Sequence, residues 1–375
     1  MKYYFIYSAG GGAGDWNGVK RVFKSSMPDN IQSNILLKFG DIFLSHASVR
    51  QPICSRRWNN ITNLRDWLFE ATDDRRVYNS NILLDSGTAK LVSWINFHNP
   101  TMTCPQLVEE FDRLVNTYNI LDKYISIVAD SNISSAVTFD IPNPFKIRSQ
   151  SSNTRLNILD DDSNDILIAA SAKYSNKIYN GLKAKIGNRV DSVLRTIING
   201  TWTADEIADY LGRLDYTPKH IAIGGLSSVH EGEFATYMPT LISALGNNYD
   251  SIHFLGCGGL RKVKILKDKG FNASENSVDC STVINRTIDG NVSGTSQSCY
   301  YVYSTCEQIR IKPETKEDIL AKHRSADTPL FSFEQITEII NKVLEHQNNN
   351  SSSDTYNARA KLLIHNTDVF RRNAL

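Results

Sequence analysis

Residues Ser251–Gly290 read SIHFLGCGGLRKVKILKDKGFNASENSVDCSTVINRTIDG, and this stretch decides the fold. It begins with an apolar run that stops at a glycine turn, continues into a basic helical segment, and ends with a short run at Asp279. The order is strand, turn, helix, strand, with a carboxylate where the second strand ends. Because parallel α/β proteins carry their chemistry at the carboxyl ends of the strands, Asp279 is the first candidate catalytic residue.

The same pattern of an apolar run followed by a polar side chain recurs earlier in the chain. Asn81–Lys90 (NILLDSGTAK) leads into Asp85 and Ser86, and Ala136–Pro144 (AVTFDIPNP) leads into Asp140. Each aspartate has an alternative interpretation as a cap of the turn after its strand. The recurrence of one residue type at three strand ends favours a shared site.

Two further runs end in small or amide residues. Val190–Gly200 closes on Asn199, and Lys219–Leu226 (KHIAIGGL) ends in Gly224, Gly225 and Leu226. The other strand-like runs are Lys2–Ser8, Asp41–Ser45 and Lys123–Ala129. With about eight such runs, mostly separated by helical segments, the sequence predicts a (β/α)8 TIM barrel. An open doubly wound sheet is the alternative, but its strand-end polar residues would cluster at one switch point.

Domain boundaries follow from the helical pattern and from composition. Residues 1–290 are predicted to form the catalytic barrel, and 291–346 a C-terminal helical extension that contains the amphipathic stretch Phe331–Leu344. Residues 347–354 (QNNNSSSD) have the composition of a polar linker, and 355–375 are expected to be a docking helix or a mobile tail. Within the barrel, Thr203 followed by Glu206 predicts a capped helix start.

Composition limits the class of protein. The chain has 375 residues, 41% of them hydrophobic, and a formal net charge of +1. No apolar run approaches the roughly 18 residues of a membrane span, so no membrane partner is expected and a cytoplasmic location is predicted. The six cysteines lack the spacing of a small secreted scaffold, which favours reduced thiols.

Because the net charge is near zero, binding to a polynucleotide would need local basic patches. The segment Gln51–Arg76 mixes arginines with tryptophans, and Arg261–Lys269 contributes Lys262 and Lys264. Such patterns suit a nucleic-acid backbone and its bases about as well as they suit a solvated helix. The glycine-rich stretch Ala9–Trp16 is either a phosphate-binding loop or a plain tight turn over the barrel mouth.

Six short motifs occur in the order found in the tRNA-guanine transglycosylase superfamily, and the chain resembles that family from about Asn81 to Arg286. They are NILLDSG, AVTFDIPNP, the NG that closes VLRTIING, HIAIGGL, IHFLGCGG and SVDCSTVINR. The resemblance implies a (β/α)8 barrel that exchanges guanine in a polynucleotide for a 7-deazaguanine such as preQ0 or a derivative. It also implies that Asp279 is the nucleophile and Asp85 the general acid/base.

The same resemblance assigns the remaining site residues. Asp140, Asn199 and Ser86 would bind the base. The backbone of Gly224, Gly225 and Leu226 would contact the purine, and Arg286 the nucleic-acid backbone. The chain departs from the family at two of these positions, because Asn199 stands where glutamine is usual and Arg286 lies one residue further from the aspartate.

The largest departure is at the zinc site of the tRNA-modifying members, which is a Cys-x-Cys-x2-Cys cluster with a histidine. Here that region offers Cys299, Cys306 and His323, and this set does not make a tetrahedral site of known spacing. We therefore expect no zinc, no other cofactor and no zinc subdomain, and we interpret His323 as a helix-surface residue. Together with the glycine-rich N terminus, this makes the chain similar to the DpdA-type DNA-guanine transglycosylases.

The reaction implied by this resemblance needs these residue types. Retention at C1′ through two displacements requires a carboxylate nucleophile and a second acid that protonates the departing base. DNA is the expected partner, with accessory modification proteins beside it. The alternatives are a zinc-less transglycosylase acting on tRNA, a non-catalytic nucleic-acid-binding barrel subunit, and a barrel enzyme acting on small phosphorylated metabolites.

Overall fold

Eight parallel strands close into a barrel in chain order. They are β1 Lys2–Tyr7, β2 Asn34–Lys38, β3 Asn81–Asp85, β4 Ser135–Val137, β5 Leu194–Asn199, β6 His220–Gly224, β7 Ser251–Phe254 and β8 Ser277–Asp279. The last strand returns to the first, where Tyr3 pairs with Val278 and Tyr4 with Asp279. The predicted (β/α)8 barrel with a C-terminal helical extension is therefore confirmed.

The computed structural model describes a defined part of the chain, namely residues 1–7, 27–40, 53, 61–142, 162–227, 229–246, 248–280, 283, 287, 291–292, 295–296, 298–348 and 352–375. Three sequence predictions lie outside these ranges. They are the glycine-rich stretch Ala9–Trp16, the strand Asp41–Ser45 and the nucleic-acid contact of Arg286.

Helices connect the strands and extend beyond the barrel. They are α1 Asp29–Gln32, α2 Leu64–Thr72, α3 Thr88–His98, α4 Cys104–Thr117, α5 Ile120–Asp130, α6 Asp162–Ile186, α7 Val190–Val193, α8 Ala204–Gly212, α9 Glu231–Leu245, α10 Leu260–Asp268, α11 Lys316–Arg324, α12 Phe333–Gln347 and α13 Ser353–Ala374. The predicted start of α8 is confirmed. The Thr203 hydroxyl accepts from the Glu206 amide at 3.2 Å, and the Glu206 carboxylate accepts from the Thr203 amide at 2.7 Å.

Two predicted strands differ from the structure. The run Lys123–Ala129 lies inside α5, so the strand prediction is wrong. Its apolar residues belong to a helix face, since Ile120, Tyr124, Ile127 and Val128 are spaced by four, three and one and are all buried. In Val190–Gly200 the first four residues form the short helix α7, and β5 begins only at Leu194.

Side chains that face the barrel axis separate into an apolar layer and a polar one. The apolar cluster consists of Tyr4, Ile6, Leu36, Leu83, Val137, Ile197 and Ala222. The next inward positions along β2, β3 and β5 are Lys38, Asp85 and Asn199, because successive side chains alternate between the two faces of a strand. An apolar layer therefore fills the barrel below a ring of polar groups at its C-terminal mouth.

The C-terminal extension packs on the barrel through α13, which contacts α12, β1 and α10. It carries two hairpins, β9 Asn291–Val292 with β10 Thr295–Ser296 and β11 Cys299–Tyr301 with β12 Gln308–Arg310. Asn366 ties α13 to the first of the strands in the second hairpin. Its amide donates to Cys299 O at 2.8 Å, and its oxygen accepts from the Tyr301 amide at 3.0 Å. No helix in the described ranges is both long enough and apolar enough to cross a bilayer.

A buried histidine in α13 makes the fold sensitive to acid. His365 is fully buried and its Nε2 donates to Tyr301 O at 2.9 Å, while its Nδ1 has no hydrogen-bond partner among the described residues. Burial lowers the pKa of His365 to about 3, with a smaller lowering from His323. The unfolded chain binds a proton at this side chain near pH 6.5, whereas the folded chain resists it, so stability falls as the pH drops below that value.

We expect the His365→Gln variant to lose less stability on acidification than the wild type. Glutamine keeps a donor for Tyr301 O but has no proton to take up. Between pH 7 and pH 4.5 the difference between the two proteins should change by about 2 to 3 kcal/mol in favour of the variant. Urea unfolding at several pH values measures it, and parallel stability–pH curves for the two proteins would contradict the assignment.

Candidate active site

Three carboxylates converge at the C-terminal mouth of the barrel. Asp85 is the last residue of β3, Asp279 is the last residue of β8, and Asp140 follows β4 by three residues. They lie near enough to interact, because Asp279 and Asp140 both raise the pKa of Asp85. The structure therefore brings together the three aspartates that the sequence placed at separate strand ends.

Asp279 is held by the glycine turn that follows β7. Its Oδ1 accepts from the Gly256 amide at 2.8 Å, and its carbonyl oxygen accepts from the Gly258 amide at 2.7 Å. Gly256 has a φ of 68°, and a Cβ added at Gly258 would lie 2.9 Å from that carbonyl oxygen. The glycines of this turn are thus required for the backbone to close around the carboxylate.

A second contact to Asp279 comes from His253, which the sequence analysis did not single out. Its Nε2 lies 3.1 Å from Asp279 Oδ1, and its Nδ1 lies 2.8 Å from Ser277 Oγ. All three side chains are buried. A signal was present in the sequence, since this histidine stands inside an apolar run and is one residue from the end of β7 that faces the mouth.

Asp85 lies deep in the mouth with a small part of its surface exposed. Burial raises its pKa to about 6, the ammonium of Lys38 opposes this shift, and Asp279 and Asp140 add to it. Lys38 is half-buried and directly opposite Asp85 in the register of β2 and β3. The sequence analysis missed Lys38 because it did not predict β2.

Asp140 belongs to a short hydrogen-bonded chain. Its Oδ1 accepts from Thr88 Oγ1 at 2.7 Å, and Thr88 Oγ1 lies 3.1 Å from Ser86 Oγ. Burial raises the pKa of Asp140 to about 6, and the Thr88 hydroxyl lowers it. Ser86 is buried and reaches the site through Thr88, so this pair of hydroxyls sets the orientation of the Asp140 carboxyl.

Asn199 and the double glycine lie side by side at the ends of β5 and β6. Asn199 pairs with Gly224 in the strand register, and its Oδ1 accepts from the amide and the hydroxyl of Thr201 at 3.1 and 2.9 Å. Gly225 has a φ of 77°, and a Cβ there would lie 2.2 Å from Asn199 Oδ1. Glycine is therefore required at 225, and its exposed backbone forms one wall of the mouth.

Leu226 and Lys262 together hold the loop after β6. The Leu226 side chain is fully buried, and its carbonyl oxygen accepts from Lys262 Nζ at 2.7 Å. Lys262 Nζ also donates to Ser227 O at 2.9 Å and lies 5.2 Å from the centroid of the Phe234 ring. The Lys262 ammonium is therefore bound by the loop that it supports, and its contact with nucleic acid stays a prediction.

Three other basic candidates, Arg65, Arg76 and Lys264, also have partners within the protein. Arg65 donates to five backbone carbonyls, and Arg76 forms ion pairs with Asp74 and Asp29. Lys264 is exposed on the outer helix α10 and lies 3.1 Å from Asp268. The structure therefore does not bring Lys264 to the mouth of the barrel.

The cysteine-bearing region of the extension uses its histidine internally. His323 is buried, in contrast to the surface position expected from the sequence, and its Nδ1 and Nε2 lie 2.9 Å from Tyr300 Oη and 2.8 Å from Phe331 O. The Cys299 thiol accepts from Gln308 Nε2 at 3.1 Å. No group of three His, Cys, Asp or Glu side chains in the described residues is arranged to hold a metal ion.

Neither a family model nor a curated protein matches this chain. The geometry of the mouth and the chemistry of its side chains are therefore the basis for assigning a function.

Proposed function

We propose that this protein is a DNA-guanine transglycosylase, a pentosyltransferase that exchanges guanine in DNA for a 7-deazaguanine base through a covalent glycosyl-aspartate. One observation carries the proposal: three carboxylates, two at the ends of strands and one just after β4, meet at the barrel mouth in different electrostatic environments. Two have raised pKa values, and the third is held by hydrogen-bond donors. That difference suits one nucleophile and one proton carrier.

In the first step, Asp279 acts as the nucleophile. A carboxylate oxygen of Asp279 attacks C1′ of the target nucleotide while the bond from C1′ to the guanine N9 breaks. The electron pair of that bond leaves with the base, which takes a proton from Asp85. The Gly256 amide donates a hydrogen bond to Oδ1 and so helps to hold the Asp279 carboxylate in place before attack.

The second step reverses these roles. Asp85, now ionised, removes the N9 proton of the incoming 7-deazaguanine, N9 attacks C1′, and the ester bond to Asp279 breaks. Two inversions at C1′ give net retention. A pKa of about 6 suits Asp85 to both steps, because both of its protonation states are accessible near neutral pH.

Base recognition is assigned to the opposite side of the mouth. The Asp140 carboxyl, oriented by Thr88, would accept from the N–H groups on the Watson–Crick edge of the purine. Asn199 and the exposed Gly225 backbone would line the face beside it. The target base must leave the stack first, at a cost of a few kcal/mol.

DNA is proposed over tRNA because His323, which would correspond to a zinc ligand in the tRNA-modifying members, uses both ring nitrogens inside the extension. The experiment incubates the protein with radiolabelled guanine and either duplex DNA or tRNA. Label should enter DNA and not tRNA. Label in tRNA alone would favour the zinc-less tRNA enzyme, and label in neither polymer would favour the non-catalytic subunit.

We expect the Lys38→Met variant to shift the pH dependence of exchange upward. Lys38 lowers the pKa of Asp85, so its loss raises that pKa and leaves less ionised base for the second step at neutral pH. Because the reaction uses both protonation states of Asp85 in turn, the pH at which exchange is fastest should move upward with this pKa. Rate–pH profiles measure this, with the exposed Lys264→Met as the control, and an unchanged profile would remove Lys38 from the site.

A further inference from the structure

Below the mouth, His253 connects two buried side chains of β8. It lies between Ser277, at 2.8 Å from Nδ1, and Asp279, at 3.1 Å from Nε2. The His253 side chain is fully buried, and its ring makes a T-shaped contact with the Tyr4 ring, with centroids 5.6 Å apart. The imidazole is therefore held through both nitrogens and by this ring contact.

The partners determine where the ring protons are. An ionised carboxylate only accepts hydrogen bonds, so the contact with Asp279 requires a proton on Nε2. Nδ1 then accepts from the Ser277 hydroxyl. Burial lowers the pKa of His253, the hydrogen bond to Asp279 opposes that shift, and the Arg195 cation adds to the lowering.

Arg195 also lies in the barrel interior, on β5 and four residues before Asn199 at the mouth. Its guanidinium donates to Ser135 Oγ at 2.7 Å and to Ser251 Oγ at 2.9 Å, and Ser251 Oγ lies 2.9 Å from His220 Nδ1. A second positive charge beside this buried cation would be unfavourable. The neutral form of His253 with the proton on Nε2 is the one that fits these neighbours.

We propose that His253 is a positioning residue that fixes Oδ1 of Asp279, so that Oδ2 is the oxygen that attacks C1′. This inference rests on the proposed function for the identity of the reaction. Oδ1 accepts from both Gly256 and His253, whereas the described residues make no hydrogen bond to Oδ2. A carboxylate fixed through one oxygen presents the other in a single orientation, and such orientation is a large part of catalysis.

A role for His253 as a general acid or base is a different hypothesis with a different requirement. It needs a ring nitrogen that reaches the substrate, and both nitrogens of His253 are directed to side chains of β8. Glutamine separates the two roles. Its Nε2 can donate to Asp279 Oδ1 as the imidazole does, but its amide does not exchange protons near neutral pH.

The test compares His253→Gln and His253→Leu in single-turnover formation of the covalent DNA adduct. The leucine variant should form the adduct about 100-fold more slowly with unchanged DNA affinity, because a misplaced nucleophile harms displacement more than binding. The glutamine variant should stay within about tenfold of the wild type. The matched control is His220→Gln, a histidine of β6 that contacts Ser251 and not Asp279, and it should leave the rate unchanged.

Nitrogen-15 NMR of the wild-type protein supplies a readout that needs no polymer. His253 should show a neutral ring with the proton on Nε2 at neutral pH. A protonated Nδ1, or a glutamine variant as slow as the leucine variant while equally folded, would overturn the inference. If the wild type forms no adduct with DNA or tRNA, the proposed function fails, and the NMR result still decides whether His253 fixes Oδ1.

Discussion

The Asp279→Asn variant is expected to lose base exchange and the covalent nucleic-acid adduct by at least about 10³-fold, the scale seen when a catalytic nucleophile is removed. Asparagine keeps an oxygen that accepts from Gly256 and His253, so the local hydrogen bonds are preserved. It replaces the attacking oxygen by an amide nitrogen, which does not form the glycosyl ester.

Alanine at this position is a less informative change. Asp279→Ala removes the acceptor of two buried donors, and each unpaired donor costs about 1 to 3 kcal/mol. A loss of activity in that variant would combine chemistry with instability. The asparagine variant is therefore the primary test, and Asp268→Asn, an exposed position on α10, is the control for handling and assay.

A denaturing gel after incubation with guanine-containing DNA measures the adduct, and thermal unfolding confirms that the variant is folded. The wild type and Asp268→Asn should give the shifted band, and Asp279→Asn should not. A band of wild-type intensity from folded Asp279→Asn would show that another residue is the nucleophile. It would contradict the central assignment of the mechanism.

The Asp85→Asn variant is expected to lose exchange and, at the same time, to be more stable than the wild type at alkaline pH. The pKa of Asp85 is about 6 in the folded chain and about 3.8 in the unfolded chain. Above pH 6 the carboxyl is ionised in both states, and the buried charge then costs about 2 to 3 kcal/mol. Below pH 3.8 it is neutral in both states, and the cost is absent.

The stability gain of Asp85→Asn should therefore be full at pH 8 and close to zero at pH 3.5. Urea unfolding at these two pH values measures it, with Asp268→Asn as the control that should show no such pH-dependent gain. A gain of equal size at both pH values would mean that asparagine improves packing or hydrogen bonding. In that case the raised pKa of Asp85 would not be the cause of the stability gain. The main argument for Asp85 as the proton carrier would then be lost.

Such a gain would have a functional meaning. An ionisable group retained where it destabilises the fold is typical of active sites, because the perturbed pKa is what the chemistry uses. Asp140 has the same pKa of about 6 from burial. Together the two buried carboxyls lower the stability of the fold when they are ionised. Two residues that only cap turns would not account for such a cost.

Much of this architecture was readable from the residues. Apolar runs at regular intervals, each followed by a glycine or a carboxylate, predicted a barrel and put Asp85, Asp140 and Asp279 at its strand ends. The Thr203 and Glu206 pair predicted the start of α8 because a capping box is a local interaction. Features of this kind depend on residues a few positions apart, and local sequence contains them.

Tertiary structure decided the partners of those residues. Barrel closure brings β8 beside β1. The pairing of β2 with β3 places Lys38 opposite Asp85, which is 47 positions later in the chain, and the sequence pattern did not reveal β2. Barrel closure also turns Lys262 into the loop after β6 and His253 toward Asp279. A sequence shows that a lysine or a histidine is present. Only the packing of distant strands determines whether its nitrogen lies in solvent, on a carbonyl oxygen or against a buried carboxylate.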